Sequence, residues 1–483
     1  MQVWRFLSDC VSRRQRPVHH VRFLWLLFLM LPCMFVRAED TAPAPPARPN
    51  IVFVVVDDLR WNVPGFAGDP VAVTPHLDAL AKAGTVFENA FTTTSICSVS
   101  RATFLTGQTM RRHGIRDFAR GLSPEQWSRS YPVLLREKGY RTGVAGKWGV
   151  GDAAAVKEAA AHYDFWRGEA GQGAPDFIDP KDPSQTHQTA RIGNDAVEFV
   201  ATSPGTQPFF LAINFTAVHA RDGRPREFQP DTRDEALCAG VAMPMPPTAT
   251  EEAFQRLPEF VKKSEGRTRQ RRRFATPEMA QGILRDYYRL LTGVDREMGR
   301  LREALRERGL EKNTVILFTS DNGFALGDRG LADKWFMWEE DIRVPAFIYD
   351  PRVPEPQRGR KVGQIALNVD FAPTILDAAG IAPPDVMQGR SLMPFAQGQT
   401  PSPWRTEFYY EHVTLPQIIP PCEGIRTETW KYIRWTGREP VVEELYDLAA
   451  DPWEERNLAS DAAHAPRLAE LRAATDRLAD EAR

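Results

Sequence analysis

The sequence is short of cysteine, carries no excess of either charge and has no long apolar run. Its 61 lysines and arginines face 63 aspartates and glutamates, so no charge excess indicates a nucleic-acid partner. The sequence does not suggest a zinc site, because it has no cysteine pair and no histidines at helical spacing. With 42% hydrophobic and 26% charged residues, the composition excludes a mainly disordered chain. A chain of 483 residues fits one large domain and a smaller one.

The first 38 residues have the pattern of a secretory signal. Residues 1–22 are basic, residues 23–36 are apolar, and Val36-Arg37-Ala38 resembles a cleavage site. The apolar run is too short for a good membrane span, although an uncleaved anchor is an alternative. Residues 39–48 are rich in alanine and proline and are predicted to be a linker. We therefore expect a secreted or periplasmic protein with no stable membrane association.

Removal of the signal would leave three cysteines, Cys97, Cys238 and Cys422. In an oxidising compartment an odd number of cysteines leaves one that is free or chemically altered. Cys238 and Cys422 are candidates for a disulfide, but the sequence does not show that they meet.

The hydrophobic pattern after residue 49 alternates between apolar strands and helices. This alternation predicts an α/β fold with a mostly parallel central sheet sandwiched by helices. We expect a larger domain over residues 49–395 and a smaller α+β subdomain over residues 396–483. The predicted strands are 51–56, 141–145, 208–215, 314–319 and 344–349, and the predicted helices are 77–84, 132–138, 194–202 and 279–308.

Residues 221–275 do not follow the alternation of apolar strands and helices. They are rich in arginine, proline and glutamate, with three consecutive arginines at 271–273. A solvated insertion loop is the simpler interpretation. The alternative is a lid that carries cations for an anionic substrate.

Polar residues follow several predicted strands, at the edge where an open α/β sheet binds ligands. Asp57 and Asp58 follow the first strand, and Asp321 and Asn322 follow the strand at 314–319. Lys147 and His219 follow two others. A turn is the simpler explanation of either pair taken alone. Together they indicate a site for a hard cation that prefers oxygen ligands, Ca²⁺ or Mg²⁺.

Cys97 lies in a stretch rich in serine and threonine and is followed by Arg101. A buried structural thiol is the simpler interpretation of a cysteine. The polar surroundings argue against it, and an arginine four residues later offers a bidentate donor for a tetrahedral oxyanion.

At this point the chain resembles the formylglycine-dependent sulfatases of the alkaline-phosphatase-like fold. The resemblance covers about residues 49–460. It rests on Pro49–Asp58, Thr74–Asp78, Cys97–Arg101 with Leu105–Gly107, Gly146–Trp148, Ser320–Gly323, Glu339–Pro345, and Glu444–Pro452 with Asn457-Leu458. Phe165-Trp-Arg167 and Gly171-Gln-Gly173 also occur in the carbohydrate-acting branch, which includes iduronate sulfatase-like enzymes. Residues 49–395 would then be the sulfatase catalytic domain.

The resemblance implies a role for each motif residue. Cys97 would be converted to formylglycine by a formylglycine-generating enzyme, and its hydrate would be the nucleophile and touch the metal. The other implied Ca²⁺ ligands are Asp57, Asp58, Asp321 and Asn322. The residues implied to act on the substrate are Arg101, which would hold the hydrate, Lys147 and Lys334, which would bind sulfate oxygens, and His219, the general acid. The implied substrate is a sulfate ester, most commonly of a sulfated carbohydrate.

The chain departs from the family pattern in three places. Val99 replaces the usual proline or alanine in the segment that the modifying enzyme reads. Gly149 replaces a histidine implied to drive collapse of the covalent intermediate, with His113 or His162 as candidate substitutes. Arg329 stands in a stretch where a histidine is common, and it is a candidate contact for a substrate anion.

These departures leave alternatives to an active sulfatase open. One is a weakly active or inactive sulfate-binding relative, and another is a phosphoester or phosphonate hydrolase with Cys97 as a thiolate. A carbohydrate-binding module with stacking aromatics such as Trp166 and Trp335 is a third. It does not explain the acidic strand ends beside Cys97.

Overall fold

The computed structural model describes residues 48–171 and 187–483. The predicted signal, residues 39–47 of the predicted linker, and Gln172 and Gly173 lie outside the described residues. None of the helices in the described ranges combines the length and apolar character that spanning a membrane would require.

Seventeen β-strands are present in the described residues. They are β1 (Asn50–Val56), β2 (Thr85–Phe87), β3 (Ala90–Phe91), β4 (Arg141–Lys147), β5 (Phe165–Glu169), β6 (Phe209–Phe215), β7 (Thr314–Ser320), β8 (Ala325–Leu326), β9 (Ala332–Asp333), β10 (Arg343–Val344), β11 (Phe347–Tyr349), β12 (Arg360–Val362), β13 (Ala366–Leu367), β14 (Glu407–His412), β15 (Cys422–Thr427), β16 (Trp430–Trp435) and β17 (Val442–Asp447).

The same residues contain fifteen α-helices. They are α1 (Pro75–Ala83), α2 (Cys97–Thr106), α3 (Met110–His113), α4 (Pro124–Ser128), α5 (Tyr131–Glu137), α6 (Ala153–Ala160), α7 (Gln188–Thr202), α8 (Glu251–Gln255), α9 (Glu259–Lys262), α10 (Glu265–Arg273), α11 (Pro277–Glu307), α12 (Glu339–Ile342), α13 (Phe371–Ala378), α14 (Met393–Ala396) and α15 (Ala465–Glu481).

Eight strands form the central sheet, in the order β12-β2-β11-β7-β1-β6-β4-β5. β1 lies between β6 and β7 and is parallel to both. β4 and β5 continue the parallel part, whereas β11 is antiparallel to β7 and β2. The prediction of a mostly parallel α/β sheet is confirmed.

Alternate side chains of β1 pack against different helix layers, as the two-residue period of a strand requires. Val52, Val54 and Val56 share a core with residues of α1, α7 and α11. Ile51, Phe53 and Val55 share the opposite core with residues of α2, α5 and α13. The β-branched run in the sequence is therefore a strand covered by helices on both faces.

Ring contacts of Phe53 fix the position of α2 on the sheet. Its ring lies 5.3 Å from Phe104 of α2 and 5.3 Å from Phe371 of α13, measured between centroids. Aromatic pairs at this spacing add about 0.5–1.5 kcal/mol each to the gain from burial. Cys97, the first residue of α2, is thereby held over the carboxyl end of β1.

The predicted strand at 344–349 is wrong as a single element. Val344 ends β10, which pairs with β3 in a separate three-stranded sheet, and Phe347 begins β11 of the central sheet. Pro345 lies between them and has no N–H to donate to a ladder, so the chain changes sheet there. β4 is longer than predicted and ends at Lys147 itself.

The C-terminal subdomain contains the antiparallel sheet β14-β15-β16-β17, with α15 packed against it. This agrees with the predicted α+β subdomain. Its Tyr410 and Trp435 share a hydrophobic core with Phe91, Ile96 and Val99, close to Cys97 in the chain. The boundary at residue 395 stays a prediction.

Candidate active site

The predicted site residues meet at the carboxyl end of the central sheet. Asp57, Asp58, Cys97 and His219 each offer a ligand atom, and these atoms lie within 4.8 Å of one another. All four residues are buried. The sequence placed three of them around a metal and His219 at the sulfate, whereas the structure puts all four together.

Asp321 and Asn322 reach the same point from the end of β7. The Asn322 Nδ2 donates to Asp58 Oδ1 at 2.7 Å, and the Asp58 backbone N–H donates to Asp321 Oδ1 at 3.3 Å. β1 and β7 are adjacent and in register, with Val56 opposite Ser320. Asp57-Asp58 and Asp321-Asn322 therefore leave neighbouring strands at the same level.

Cys97 lies at the amino end of α2, where all ten residues of the helix are buried. Its Sγ is 3.4 Å from Asp57 Oδ1. Burial and the negative charge of Asp57 raise the pKa of the Cys97 thiol well above its usual range. A thiol in these surroundings is protonated at neutral pH and is a poor nucleophile without further change.

Arg101, one helical turn after Cys97, bridges three strand ends. Its Nε donates to Asp321 Oδ2 at 2.8 Å, and its Nη1 donates to the Lys147 carbonyl at 2.9 Å. The Nη2 lies 3.4 Å from Asp57 Oδ2. The guanidinium therefore fixes the start of α2 relative to β1, β4 and β7.

Two buried lysines complete the cationic side of the site. The Lys147 ammonium contacts Asp57, and the Lys334 ammonium contacts Asp58. Burial alone would raise the pKa of Asp57, but Lys147 and the other nearby cations hold it below its ordinary value. Burial raises the pKa of Asp58 to about 7, even though Lys334 opposes that shift. Burial, together with the charge of Asp57, also raises the pKa of Asp321.

Backbone groups of neighbouring residues orient the His219 ring. Its Nδ1 lies 2.5 Å from the Ala220 carbonyl, and its Nε2 lies 3.5 Å from Asp58 Oδ2. The Val218 N–H donates to the Asp57 carbonyl at 2.9 Å, which keeps this segment beside β1. Burial, reinforced by Lys334, lowers the pKa of His219 to about 4, so the ring is neutral at pH 7.

Two buried oxygens of the cluster lack a hydrogen-bond donor among the described residues. They are Asp58 Oδ2 and Asn322 Oδ1. Buried polar atoms are nearly always satisfied, so orphaned carboxylate and amide oxygens indicate a missing partner. An oxygen-rich donor set fits a hard divalent cation better than zinc.

The structure shows which side chain lies beside Gly149, the position at which a histidine was expected from the resemblance. Gly149 has a φ of +76°, and a Cβ there would lie 2.8 Å from Arg101 Cδ and 3.2 Å from its Nε. The Arg101 side chain thus occupies the space next to this position. His113 is held by Thr103 at 3.2 Å and by the Ile115 N–H at 3.0 Å, so both of its ring nitrogens are engaged.

Contacts decide two further sequence hypotheses and leave a third as a prediction. The ring of His162 stacks on Trp127 at 4.2 Å between centroids, and its role as a substitute histidine stays a prediction. Arg329 is buried and donates to Glu340 and to the carbonyls of residues 453 and 454, so its role as a contact for a substrate anion is not supported. Cys238 and Cys422 are free thiols, so the suggested disulfide is absent.

Sequence reasoning missed a residue that supports Asp58. Asp58 has a φ of +60°, a left-handed conformation that is unfavourable for a side-chain-bearing residue. The Tyr287 hydroxyl of α11 donates to the Asp58 carbonyl at 2.7 Å and accepts from the Arg60 N–H at 2.9 Å. Tyr287 lies on the apolar face of a long amphipathic helix, and no signal in the sequence marks it.

Comparison with known proteins identifies the family. The sulfatase family model matches residues 49–381, and the model of the C-terminal region of N-sulphoglucosamine sulphohydrolase matches residues 327–481. An N-acetylglucosamine-6-O-sulfatase of Bacteroides thetaiotaomicron is 29% identical over 97% of this chain and 92% of its own. An arylsulfatase of Clostridium perfringens is 28% identical over 88% of this chain and 93% of its own.

A solved structure shows the same fold with a bound ligand. It is described as a complex with its substrate D-glucosamine-2-N,6-O-disulfate, with a TM-score of 0.75 and 27% identity. The match covers 90% of this chain and 98% of the other. Because the family model matches most of the chain and the predicted motifs meet at one strand edge, the chain belongs to the sulfatase family and is a sulfuric ester hydrolase.

Proposed function

We propose that this enzyme removes sulfate from a sulfated carbohydrate, with a 6-O-sulfated glucosamine as the first substrate to test. The observation that carries the proposal is the convergence of Asp57, Asp58, Asp321 and Asn322 with Cys97 beside three buried cations. The names of the relatives support the sugar, because one is an N-acetylglucosamine-6-O-sulfatase and one binds a glucosamine disulfate.

The charges of the site suit a sulfate ester. Lys147, Lys334 and Arg101 surround the cluster from three different elements, so cationic groups face the site from several sides. Donors fixed before the substrate arrives stabilise developing charge better than mobile groups do. Lys147 and Lys334 would bind sulfuryl oxygens, and Arg101 would hold the nucleophilic group at residue 97.

The residues that would hold Ca²⁺, with Mg²⁺ as the alternative, are Asp57, Asp58, Asp321, Asn322 and the modified residue 97. The two orphaned oxygens, Asp58 Oδ2 and Asn322 Oδ1, support this assignment. The chemistry such a cation supplies is to favour an ionised oxygen nucleophile and to offset charge on sulfuryl oxygens. Cys97 would act after conversion to formylglycine, and its protonated thiol in the unmodified chain is consistent with that need.

His219 is the residue proposed to assist the departing sugar oxygen. The hydrogen bond from Nδ1–H to the Ala220 carbonyl fixes the ring and leaves Nε2 facing the site. A neutral ring acts as a general acid only after it gains a proton, and the negative charge of Asp57 favours the protonated form.

Modification and export would precede catalysis. The formylglycine-generating enzyme would act on the segment from Cys97 to Arg101. Residues 1–38 would direct secretion or export to the periplasm, residues 39–48 would be a linker, residues 49–395 would form the catalytic domain and residues 396–483 the C-terminal subdomain.

The proposal is tested with protein produced together with a formylglycine-generating enzyme. We expect sulfate release from N-acetylglucosamine 6-sulfate, loss of that release with a calcium chelator, and recovery when calcium is restored. Mass spectrometry of the tryptic peptide that contains Cys97 should show the aldehyde in place of the thiol. A phenyl phosphonate monoester serves as the competing substrate. An intact thiol, with cleavage of the phosphonate in preference to the sulfate ester, would contradict the proposal.

Calcium binding gives a separate prediction. Asp321→Ala removes a carboxylate from the cluster and also the partner of Arg101 Nε, so we expect no measurable calcium binding by titration calorimetry. Asp377→Ala, which removes an exposed carboxylate on α13, should bind calcium like the parent protein. Unchanged calcium affinity in Asp321→Ala would show that the metal assignment is wrong.

A further inference from the structure

The turn that carries Lys334 has an unusual backbone. Asp333 has a φ of +87° and Trp335 a φ of +100°, so residues in left-handed conformations stand on both sides of the lysine. Side-chain-bearing residues adopt such conformations only where the surrounding structure holds them. Whatever holds this turn therefore also determines where the Lys334 ammonium lies.

Two arginines of α10 in the insertion contact this turn, in addition to the Tyr410 hydroxyl, which donates to the Trp335 carbonyl at 2.7 Å. Arg273 Nη1 donates to Asp333 Oδ2 at 2.6 Å, and Arg269 Nη1 donates to the same oxygen at 2.5 Å. The Arg269 guanidinium also lies over the Trp335 ring, 5.1 Å from its centroid. The insertion is thus bonded directly to the residues on both sides of Lys334.

Arg273 is buried at the centre of a network of carboxylates. It donates to Glu227 Oε2 and to Asp222 Oδ1, both at 2.5 Å, in addition to Asp333. Arg272 pairs with Glu227 at 2.7 Å. Arg272 and Arg273 are therefore engaged with protein carboxylates, so the structure does not support them as lid cations presented to an anionic substrate.

Besides its contact with Asp58, the Lys334 ammonium faces Asp333, whose charge this network offsets. Asp333 Oδ1 lies 3.8 Å from the Lys334 Nζ. Burial disfavours the charge of Asp333, but Arg269 and Arg273 hold the pKa of this carboxyl below its ordinary value, so it is ionised. Without those two guanidiniums, Lys334 would be a close cation for a buried, uncompensated carboxylate, which is an expensive arrangement.

We propose that Arg273, together with Arg269, is a positioning residue for substrate binding. By neutralising Asp333 and holding its turn, it keeps the Lys334 ammonium on the Asp58 side of the site, where a sulfuryl oxygen of the substrate would bind, instead of at Asp333. This inference rests on the proposed function, because it takes Lys334 to bind the sulfate.

A double-mutant cycle separates this charge effect from a general packing effect. KM and kcat for N-acetylglucosamine 6-sulfate, and the inhibition constant of inorganic sulfate, are measured for the parent, Arg273→Met, Asp333→Asn and the double variant. We expect Arg273→Met to raise KM and the inhibition constant about ten-fold, with a smaller change in kcat. In the Asp333→Asn background the same substitution should change both by less than about three-fold.

Two comparisons make the result decisive. Arg271→Met changes an exposed arginine of the same helix and should leave KM unchanged. If Arg273→Met does not fold, Arg269→Met takes its place in the same cycle. The Arg269 side chain is 17% exposed, and its replacement should shift KM in the same direction. An equal loss in both Asp333 backgrounds, or a fall in kcat with KM unchanged, would overturn the inference.

The inference and the proposed function fail in different ways. If Lys334→Ala weakens inhibition by sulfate and the Arg273 cycle shows no coupling, only the inference is wrong. If the parent protein releases no sulfate and Lys334→Ala leaves sulfate affinity unchanged, the proposed function is wrong.

Discussion

Replacing Cys97 by alanine is expected to lower kcat for a sulfate ester by a factor of about 10⁴ or more, because it removes the residue proposed to supply the nucleophile. Cys97 starts α2 within 3.4 Å of Asp57, and Arg101 fixes that helix to the other strand ends. The lysines that would bind sulfate belong to other elements. Affinity for inorganic sulfate, measured by calorimetry, should therefore stay within about five-fold of the parent.

The matched control for this variant is Cys238→Ala. Cys238 is a half-buried free thiol outside the candidate site, so its loss should leave kcat unchanged. Thermal unfolding of both variants shows whether the fold is intact. Turnover by Cys97→Ala within about ten-fold of the parent would mean that residue 97 does not supply the nucleophile.

Replacing Gly149 by alanine is expected to lower kcat/KM about 100-fold, because small displacements of a positioned group have effects of that size. The new Cβ would lie 2.8 Å from Arg101 Cδ at a left-handed backbone position. Arg101 must then move away from Asp321 and the Lys147 carbonyl, which it now binds at 2.8 Å and 2.9 Å. Steady-state kinetics with a sulfated sugar measures the loss.

Gly437→Ala controls for the backbone effect alone. Gly437 has a φ of +71°, and a Cβ at this position would meet no atom of the described residues within 4 Å, so its substitution adds similar strain without a clash. Gly149→His, which restores the residue common in the family, should be no more active than Gly149→Ala, because its Cβ meets the same side chain. Higher activity in Gly149→His than in the parent would show that the Arg101 side chain can move away from Gly149 without loss of function.

The sequence was a good guide to the ends of the buried parallel strands. β1 is a continuous β-branched run, and its polarity changes at Asp57 within one residue, so both its extent and its exit were readable. The same holds for Ser320 and Asp321 at the end of β7. Because parallel strands present their carboxyl ends at one edge, the meeting of these acids followed from the pattern and the motifs.

The sequence was a poor guide wherever a role depends on a partner far along the chain. Arg269 and Arg273 lie in a stretch with the composition of a solvated loop, and only their contacts with Asp222, Glu227 and Asp333 show that they are bound inside the protein. Tyr287 resembles any core tyrosine of an amphipathic helix until its hydroxyl is found at the Asp58 carbonyl.

By itself, the sequence determined the fold class, the residues at the strand ends and the sulfatase resemblance, because hydrophobic period and short motifs are local properties of the chain. Only the tertiary structure decided that His219 joins the acidic cluster, that Arg101 fills the space beside Gly149 and that the insertion supports Lys334. These three depend on distances between side chains from separate elements. Packing sets such distances, and no linear pattern records them.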